Sequence, residues 1–460
     1  MTGASPLTDG RLLAWYGDDF TGAAAVMEVL SFAGLESVLF FAPPTQDQLS
    51  RFPRARGIGI AGTARARSPA WMEATLPSVF GEMANYEAAI NHYKVCSTLD
   101  SSPQTGSIGR ACELAMPILS EPDDWHACLV AAPAMQRYQA FGNLFAGVSG
   151  TVHRLDRHPV MRQHPVTPMD EADVRRHLAK QTQLPIGLVS ITELNAGLAQ
   201  AALQSERASG AAIVALDCMD ESSLVEAGRL IWENRGKRHF CIGSQGIEYA
   251  LVAYWRQAGL LESAAPPAHP GRVERMAVVS GSCSPITSNQ IAVAATQGFE
   301  CIRIDPSRAV DASAWEQELQ RVAALAMDAF GRGHDPLVYT STGPEDPANV
   351  RFNEAIDAAG LPADQVNEAV GEGLGRLLQD LIEQASLSRC AIAGGDTSGH
   401  GVSMLGLYAL TALAPIATGA ALCQAHSDNQ TLGHLQIALK GGQMGEPEFF
   451  QQVRNGGLTA

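Results

Sequence analysis

Short apolar runs alternate with amphipathic stretches along almost the whole chain. RLLAWYG (11–17) predicts a strand, TGAAAVMEVLSFAG (21–34) a helix closed by Gly34, and SVLFFA (37–42) the next strand. GIGIAG, HYKVCST, ACLVAAP, IGLVSI, AAIVALD and HFCIGS continue the strand series up to residue 244. Helical segments separate most of them. One opens at Ser68-Pro69, a Ser N-cap followed by Pro at the first helical position. Strand–helix alternation predicts a largely parallel sheet with helices on both faces.

Residues 260–272, LLESAAPPAHPGR, break the rhythm after a helix at QGIEYALVAYWRQAG. The alternation then restarts with RMAVVSGS, ECIRID, DPLVYTST, RCAIAGGDT and LQIALKGG. The fold class expected is therefore α/β with two domains, 1–262 and 273–460, each a largely parallel sheet flanked by helices. A chain of 460 residues exceeds one ordinary core, which agrees with two domains. One stretch, 134–170, shows little regular periodicity, and a segment that long without its own pattern is expected to be functional itself or to pack over a site.

The formal charge of -16 argues against nucleic acid as a partner, since phosphate contacts need clustered Lys and Arg. An acidic protein still binds anions through local Arg/Lys pockets and helix N-termini. The 9 cysteines are scattered without a CxxC pair, so neither a disulfide framework nor a zinc site is expected. The N-terminal residues lack the basic and apolar regions of a signal peptide, and no apolar run is long enough to span a bilayer. A cytoplasmic protein with no membrane partner is the expectation.

Ligands of parallel α/β sheets sit at the carboxyl ends of strands, and four turns there carry candidate chemistry. In YGDDFTGA, Asp18, Asp19 and Thr21 lie just past a strand, with Gly22 opening the next helix. The paired carboxylates suit hydroxyl binding, base catalysis or Mg²⁺ binding, while the plainer alternative is a helix cap. In KVCSTLDSSPQTGSIGRA, Lys94 leaves a strand, and Ser97, Thr98, Ser101 and Ser102 form a hydroxyl-rich loop leading to a helix. Lysine beside a helix N-terminus binds anions, though an ordinary polar loop has the same composition. In HRLDRHPVMRQHPVTPMDEAD, Arg154, Arg157 and Arg162 with His153, His158 and His164 make the chain's one basic cluster, suited to a carboxylate. Its histidines have no metal-ligand spacing, and Thr167-Pro168 with Asp170 reads as a helix start. Finally SGSCSPIT (280–287), AIAGGDTSGHG (391–401) and ALKGGQMG (438–445) are Gly- or Ser-rich turns after strands, where backbone N–H groups can approach phosphates. GxxxxGK[ST] and GxSxG are absent, and GIGIAG (57–62) matches GxGxxG only in letters, since it reads as a strand and not as a turn opening a helix.

Taken in order, DDFTGA, KxxSTL, HPVTPM, SGSCSPIT, GGDTS and LKGGQMG resemble the four-carbon acid sugar kinases over almost the whole chain. The resemblance implies an N-terminal domain for a sugar acid and a C-terminal domain for ATP. It implies ATP contacts at Ser282 or Ser284, along Gly394, Gly395, Asp396 and Thr397, and at Gly441 or Gly442. The acid would meet Asp18, Asp19, Lys94, Ser97 and Thr98. Where common members read DSTLRGN, this chain has Cys96, Ser97, Thr98, Leu99, Asp100, Ser101 and Ser102. Cys96 and Asp100 thus replace an Asp and a carboxylate-binding Arg, and the STLDSSPQTGSIGRA form is similar to 3-oxo-isoapionate kinases rather than to threonate or tetronate kinases.

The expected reaction is in-line transfer of the γ-phosphoryl group from ATP, with Mg²⁺ on the phosphates, to a hydroxyl of a small sugar acid. Asp18 or Asp19 would be the base, with the other positioning the substrate. Thr21 and Asp100 would line the acid site, and Lys94 with Arg154 or Arg157 would neutralise the carboxylate. Asp396 would assist the metal, whose ligands stay open, and a homodimer is an assembly the reading allows. Two rivals remain at this point: an isomerase or aldolase using Lys94, and a sugar-acid sensor without turnover.

Overall fold

The computed structural model describes residues 7, 9–122, 124–148, 150–164, 166–265, 267, 269–429 and 432–457, without the side chain of Asp396. Residues 1–6, part of the segment read for a signal peptide, lie outside the described residues. The chain divides into two compact units, Met1–Ala265 and Pro266–Ala460.

In the first unit, eight strands form one all-parallel sheet in the order β2-β3-β1-β4-β11-β5-β10-β9. They are β1 (Leu13–Gly17), β2 (Ser37–Phe40), β3 (Gly57–Ala61), β4 (Ile90–Lys94), β5 (His126–Leu129), β9 (Ile186–Val189), β10 (Ile213–Leu216) and β11 (His239–Gly243). Every residue of β1 through β5 is buried, because helices cover both faces and a strand there reads as an unbroken apolar run. The helix Phe20–Phe32 carries the chain from β1 past β3 to β2, whereas β4 leads the other way, past β11 to β5. Connections therefore diverge at the β1/β4 pair, which opens a crevice at their carboxyl ends.

The stretch expected to be unpatterned folds as a separate antiparallel sheet of β6 (Arg137–Ala140), β7 (Asn143–Val148) and β8 (Thr151–Arg154). Phe141 and Gly142 turn between β6 and β7 at φ of 51° and 77°, a left-handed pair that favours glycine at its second position. The buried Asp217, just past β10, holds this turn by accepting the N–H groups of Phe141 (2.5 Å) and Gly142 (2.9 Å). The helix start read at Thr167-Pro168 and Asp170 is corrected. The helix is Val174–Ala179, capped by Asp173, while Asp170 pairs with Lys180 at 2.7 Å.

In the second unit the order is β13-β14-β12-β15-β18-β17-β16. The parallel strands are β12 (Ala277–Ser280), β13 (Phe299–Arg303), β14 (Asp335–Tyr339), β15 (Arg389–Ala393) and β18 (Gln436–Lys440). Their divergence point is the β12/β15 pair: one leads past β14 to β13 and the other toward β16. The sequence reading passed over the antiparallel hairpin β16 (Leu407–Ala417) and β17 (Ala420–Ser427), turned at Gly419 with φ of 82°. Among the described residues no helix is long and apolar enough to cross a membrane.

Candidate active site

Asp18 and Asp19 stand at the end of β1, as the sequence placed them, and they do different work. Asp19 is the N-cap of the helix Phe20–Phe32: its Oδ1 accepts Gly22 N–H at 3.0 Å and its Oδ2 accepts the Thr21 hydroxyl at 2.8 Å. The capping alternative therefore holds for Asp19 and not for Asp18. Both carboxylates share one guanidinium, with Arg65 Nη2 donating to Asp18 Oδ1 at 2.6 Å and to Asp19 Oδ1 at 2.7 Å. Burial raises Asp18 above the usual carboxylate range, and its neighbour Asp19 adds to this against the opposing pull of Arg65. Burial also works against ionised Asp19, but Arg65, Lys94, Thr21 and Gly22 outweigh it and hold that group low. Two adjacent carboxyls are thus pushed apart in acidity, the pattern that separates a proton acceptor from a fixed anion.

Lys94 is buried at the end of β4 and donates to Val95 O at 2.7 Å. Its ammonium lies beside Gly22, where an added Cβ would come within 2.8 Å of Nζ and 2.3 Å of Asp19 Oδ1. The helix N-terminus next to Lys94 is therefore the one after β1. The helix after its own loop starts only at Ile108, capped by Ser107.

That loop is built around Asp100. Thr98 Oγ1 donates to Asp100 Oδ1 at 2.9 Å and meets Cys96 Sγ at 2.9 Å. Burial, with Asp100 adding, pushes the Cys96 thiol up to about 11, so it stays protonated. Leu99 adopts a left-handed φ of 53°. Ser101 Oγ bonds Leu99 O (2.9 Å), His177 Nε2 (2.8 Å) and Gln181 Nε2 (2.9 Å), pinning the turn from the far side. Ser97 is half-buried in the same turn.

Arg154 is engaged in a bidentate pair with Asp156 at 2.7 and 2.5 Å, and Arg157 is exposed. Of the basic cluster only His158 turns inward. It is buried, it feels the charge of Arg137, and its Nδ1 accepts N–H groups of Val160 and Met161 at 3.2 Å. Sequence reasoning missed Arg65 and Arg137; both exert their charge on Cys96 and Asp100.

In the second unit the loops after β12, β15 and β18 converge, and glycines permit it. A Cβ on Gly281 would sit 2.2 Å from Thr397 Oγ1, and one on Gly442 would sit 2.9 Å from Ser282 Oγ and 3.1 Å from Ser284 Cβ. Gly394 caps the helix Gly395–Met404 at φ of 120°, a conformation L side chains rarely adopt. Ser282 Oγ accepts Ser284 N–H at 3.2 Å, and Ser284 in turn caps the helix Pro285–Ala294. The structure thus brings together Ser282, Ser284, Gly394, Gly395, Thr397 and Gly442, with Gly441 adjoining; the Asp396 side chain is outside the described residues. A Cβ on Gly395 meets nothing within 4 Å, so open space lies against this helix N-terminus. Space against a helix N-terminus is a place where backbone N–H groups can meet an anion. Beside it runs a cleft of about 560 Å³ lined by Pro285, Ser288, Thr342, Gly343, Asp346 and Pro347.

Lys440, also missed, ends β18 fully buried and donates to Thr287 Oγ1 at 2.8 Å, while Thr287 donates to Gly442 O at 3.1 Å. This chain of bonds ties the glycine turn to the helix Pro285–Ala294. Burial lowers the Lys440 ammonium to about 7, against about 10.4 in an unfolded chain. Between those values the unfolded chain holds a proton that the folded protein has released, so this residue makes stability rise with pH from about 7 to about 10. Denaturant unfolding across that window should show wild type gaining stability relative to Lys440→Met as pH rises. A pH-independent difference would rule out the titration.

Comparison with known proteins matches this division. A sequence model described as a sugar-binding N-terminal domain matches residues 13–251, and one described as a nucleotide-binding C-terminal domain matches residues 277–450. The chain is 44% identical to a 3-oxo-isoapionate kinase of Paraburkholderia graminis, covering 100% of this chain and 97% of that one. It is 29% identical to a 3-oxo-tetronate kinase of Cupriavidus necator over 98% of each. A solved structure from Salmonella typhimurium LT2 shares the fold with a TM-score of 0.76 at 23% identity, covering 96% of this chain and 98% of that one.

Proposed function

Because the chain belongs to the four-carbon acid sugar kinase family, we propose that it phosphorylates a branched oxo sugar acid of the 3-oxo-isoapionate type. It is a sugar-acid kinase; the finer choice of acid is carried by one observation. Identity is 44% to the 3-oxo-isoapionate kinase against 29% to a 3-oxo-tetronate kinase, each over nearly full length. The loop of Cys96 and Asp100 supports that choice, because Asp100 repels a plain carboxylate at a place where it can accept a hydroxyl of a branched acid. The cytoplasm, where ATP is abundant, is the proposed compartment.

In this reading the glycine turns of the second unit hold the ATP phosphates through backbone N–H groups, with Ser282, Ser284 and Thr397 as hydroxyl donors. The adjoining cleft has a volume ordinary for a small-molecule site and takes the nucleoside. Mg²⁺ bound with ATP needs only one or two carboxylates beside the phosphates. Its chemistry is to neutralise charge on the transferring group. In the first unit Asp18, the carboxylate of raised pKa, takes the proton of the acceptor hydroxyl. Asp19 remains an anion that fixes Thr21, Gly22 and Arg65, and Lys94 supplies positive charge where the phosphoryl group arrives. Little covalent work is asked of the protein; positioning and charge do most of it.

The test is kcat/KM for 3-oxo-isoapionate, 3-oxo-tetronate, threonate and erythronate measured side by side by ADP release. The branched acid should lead by at least tenfold, or about 1.4 kcal/mol. A lead for any four-carbon acid would overturn the substrate choice and leave the kinase reading standing.

A further inference from the structure

Arg137 is a cation without a matching anion. It sits half-buried on β6, with Nη1 donating to Met135 O (3.1 Å), Gln136 O (3.3 Å) and Gly147 O (3.2 Å). Its Nε is buried with no hydrogen-bond partner. Among the described residues no carboxylate lies within 4.0 Å of it. The other cations of this crevice are committed: Arg65 to Asp18 and Asp19, Lys94 to Val95 O beside Asp19. Arg154, on β8, is committed to Asp156.

A guanidinium stays charged in any protein interior, and a buried charge is ordinarily paired. Three carbonyls fix the orientation of Arg137 without neutralising it. Asp100 and Cys96 lie within its electrostatic reach, so its charge is felt in the loop where Asp100 stands in place of the arginine of the common family pattern. We propose that Arg137 is the receptor for the substrate's carboxylate, taking the place of the arginine that the loop lacks at Asp100. The guanidinium fork matches a carboxylate in a planar, two-point contact. The anchoring of β6 explains how the fork keeps its aim, since Asp217 clamps the turn at the end of that strand. The assignment rests on the sugar-acid reading above. It moves the carboxylate contact from Arg154, at the end of β8, and Arg157, in the turn beyond it, to a residue on β6 of the same sheet.

The experiment compares the best acid substrate with its neutral carboxamide, as substrate or competing inhibitor, on wild type, Arg137→Gln and Arg137→Lys. Arg137→Gln should raise KM or Ki for the acid roughly 10- to 150-fold, the range for one charged hydrogen-bonded contact. The carboxamide and the KM for ATP should change by less than about threefold, and Arg137→Lys should fall between. Equal losses for acid and carboxamide, or no loss for either, would overturn the assignment. If Arg137→Gln does not fold, Arg137→Lys decides: an acid-to-carboxamide ratio equal to wild type also overturns it. A wild-type enzyme that turns over no acid on the panel sinks the sugar-acid reading and this assignment together. An unaltered ratio in an active variant sinks only the assignment.

Discussion

Asp18→Asn should lower kcat by roughly 10²- to 10⁴-fold, the usual scale for losing a general base, with little change in fold or in KM for ATP. Asparagine keeps the shape of the side chain and an oxygen that can still accept from Arg65, so the substitution isolates the loss of basicity. The paired carboxylate gives the control. Asp19→Asn keeps a good helix cap and touches a group already held low by Arg65 and Lys94, so its effect on kcat should be the smaller of the two. The pH profile adds a sign. Burial raises Asp18, so the acid limb of kcat lies above the usual carboxylate range, and activity falls as pH drops through it. Asp18→Asn should erase that limb from what activity remains. Full kcat in Asp18→Asn would move the base elsewhere.

The second large effect is expected at Gly395. A Cβ there meets no protein atom within 4 Å, so Gly395→Val should leave the fold intact while filling the space against the helix N-terminus. In the proposed reading the phosphate oxygens occupy that space, so ADP-induced thermal stabilisation should vanish or the KM for ATP rise at least tenfold, about 1.4 kcal/mol. The neighbouring positions are poorer probes. Valine at Gly442 collides with Ser282 and Ser284, and at Gly394 it would need a φ of 120°. Unchanged nucleotide affinity in Gly395→Val would place the phosphates away from this turn.

The turns after strands were legible because their residues follow a clear apolar run, and the position of a ligand in a parallel sheet follows from topology. Asp18, Lys94 and the glycine turns were placed at strand ends this way, and the structure puts them there. Arg65 was not, since GTARARS carries no motif and its role exists only because β3 lies in register beside β1, Gly17 opposite Ala61. The available signal was that β3 is parallel too, so its carboxyl-end loop must open on the same edge. Arg137 lay in the stretch flagged as functional or as packing over a site, but strands of four to six residues show too few periods to read. The dipeptide Phe141-Gly142 was the hairpin signal to use. Lys440 was hidden for another reason. A lysine at the end of an apolar strand looks like a surface residue until the sheet around it is known.

The pinning of Ser101 has a consequence for how such enzymes change diet. The turn proposed to recognise the acid takes its shape from Leu99 in a left-handed conformation and from the grip of His177 and Gln181 on Ser101, away from the carboxylates that follow β1. Selection can therefore exchange the turn as a cassette while the phosphoryl chemistry stays put. The cassette is discontinuous in sequence, however. A transplant of residues 96–102 into a relative without partners for Ser101 would bring the letters and lose the shape, whereas moving His177 and Gln181 with them keeps the turn as it stands here.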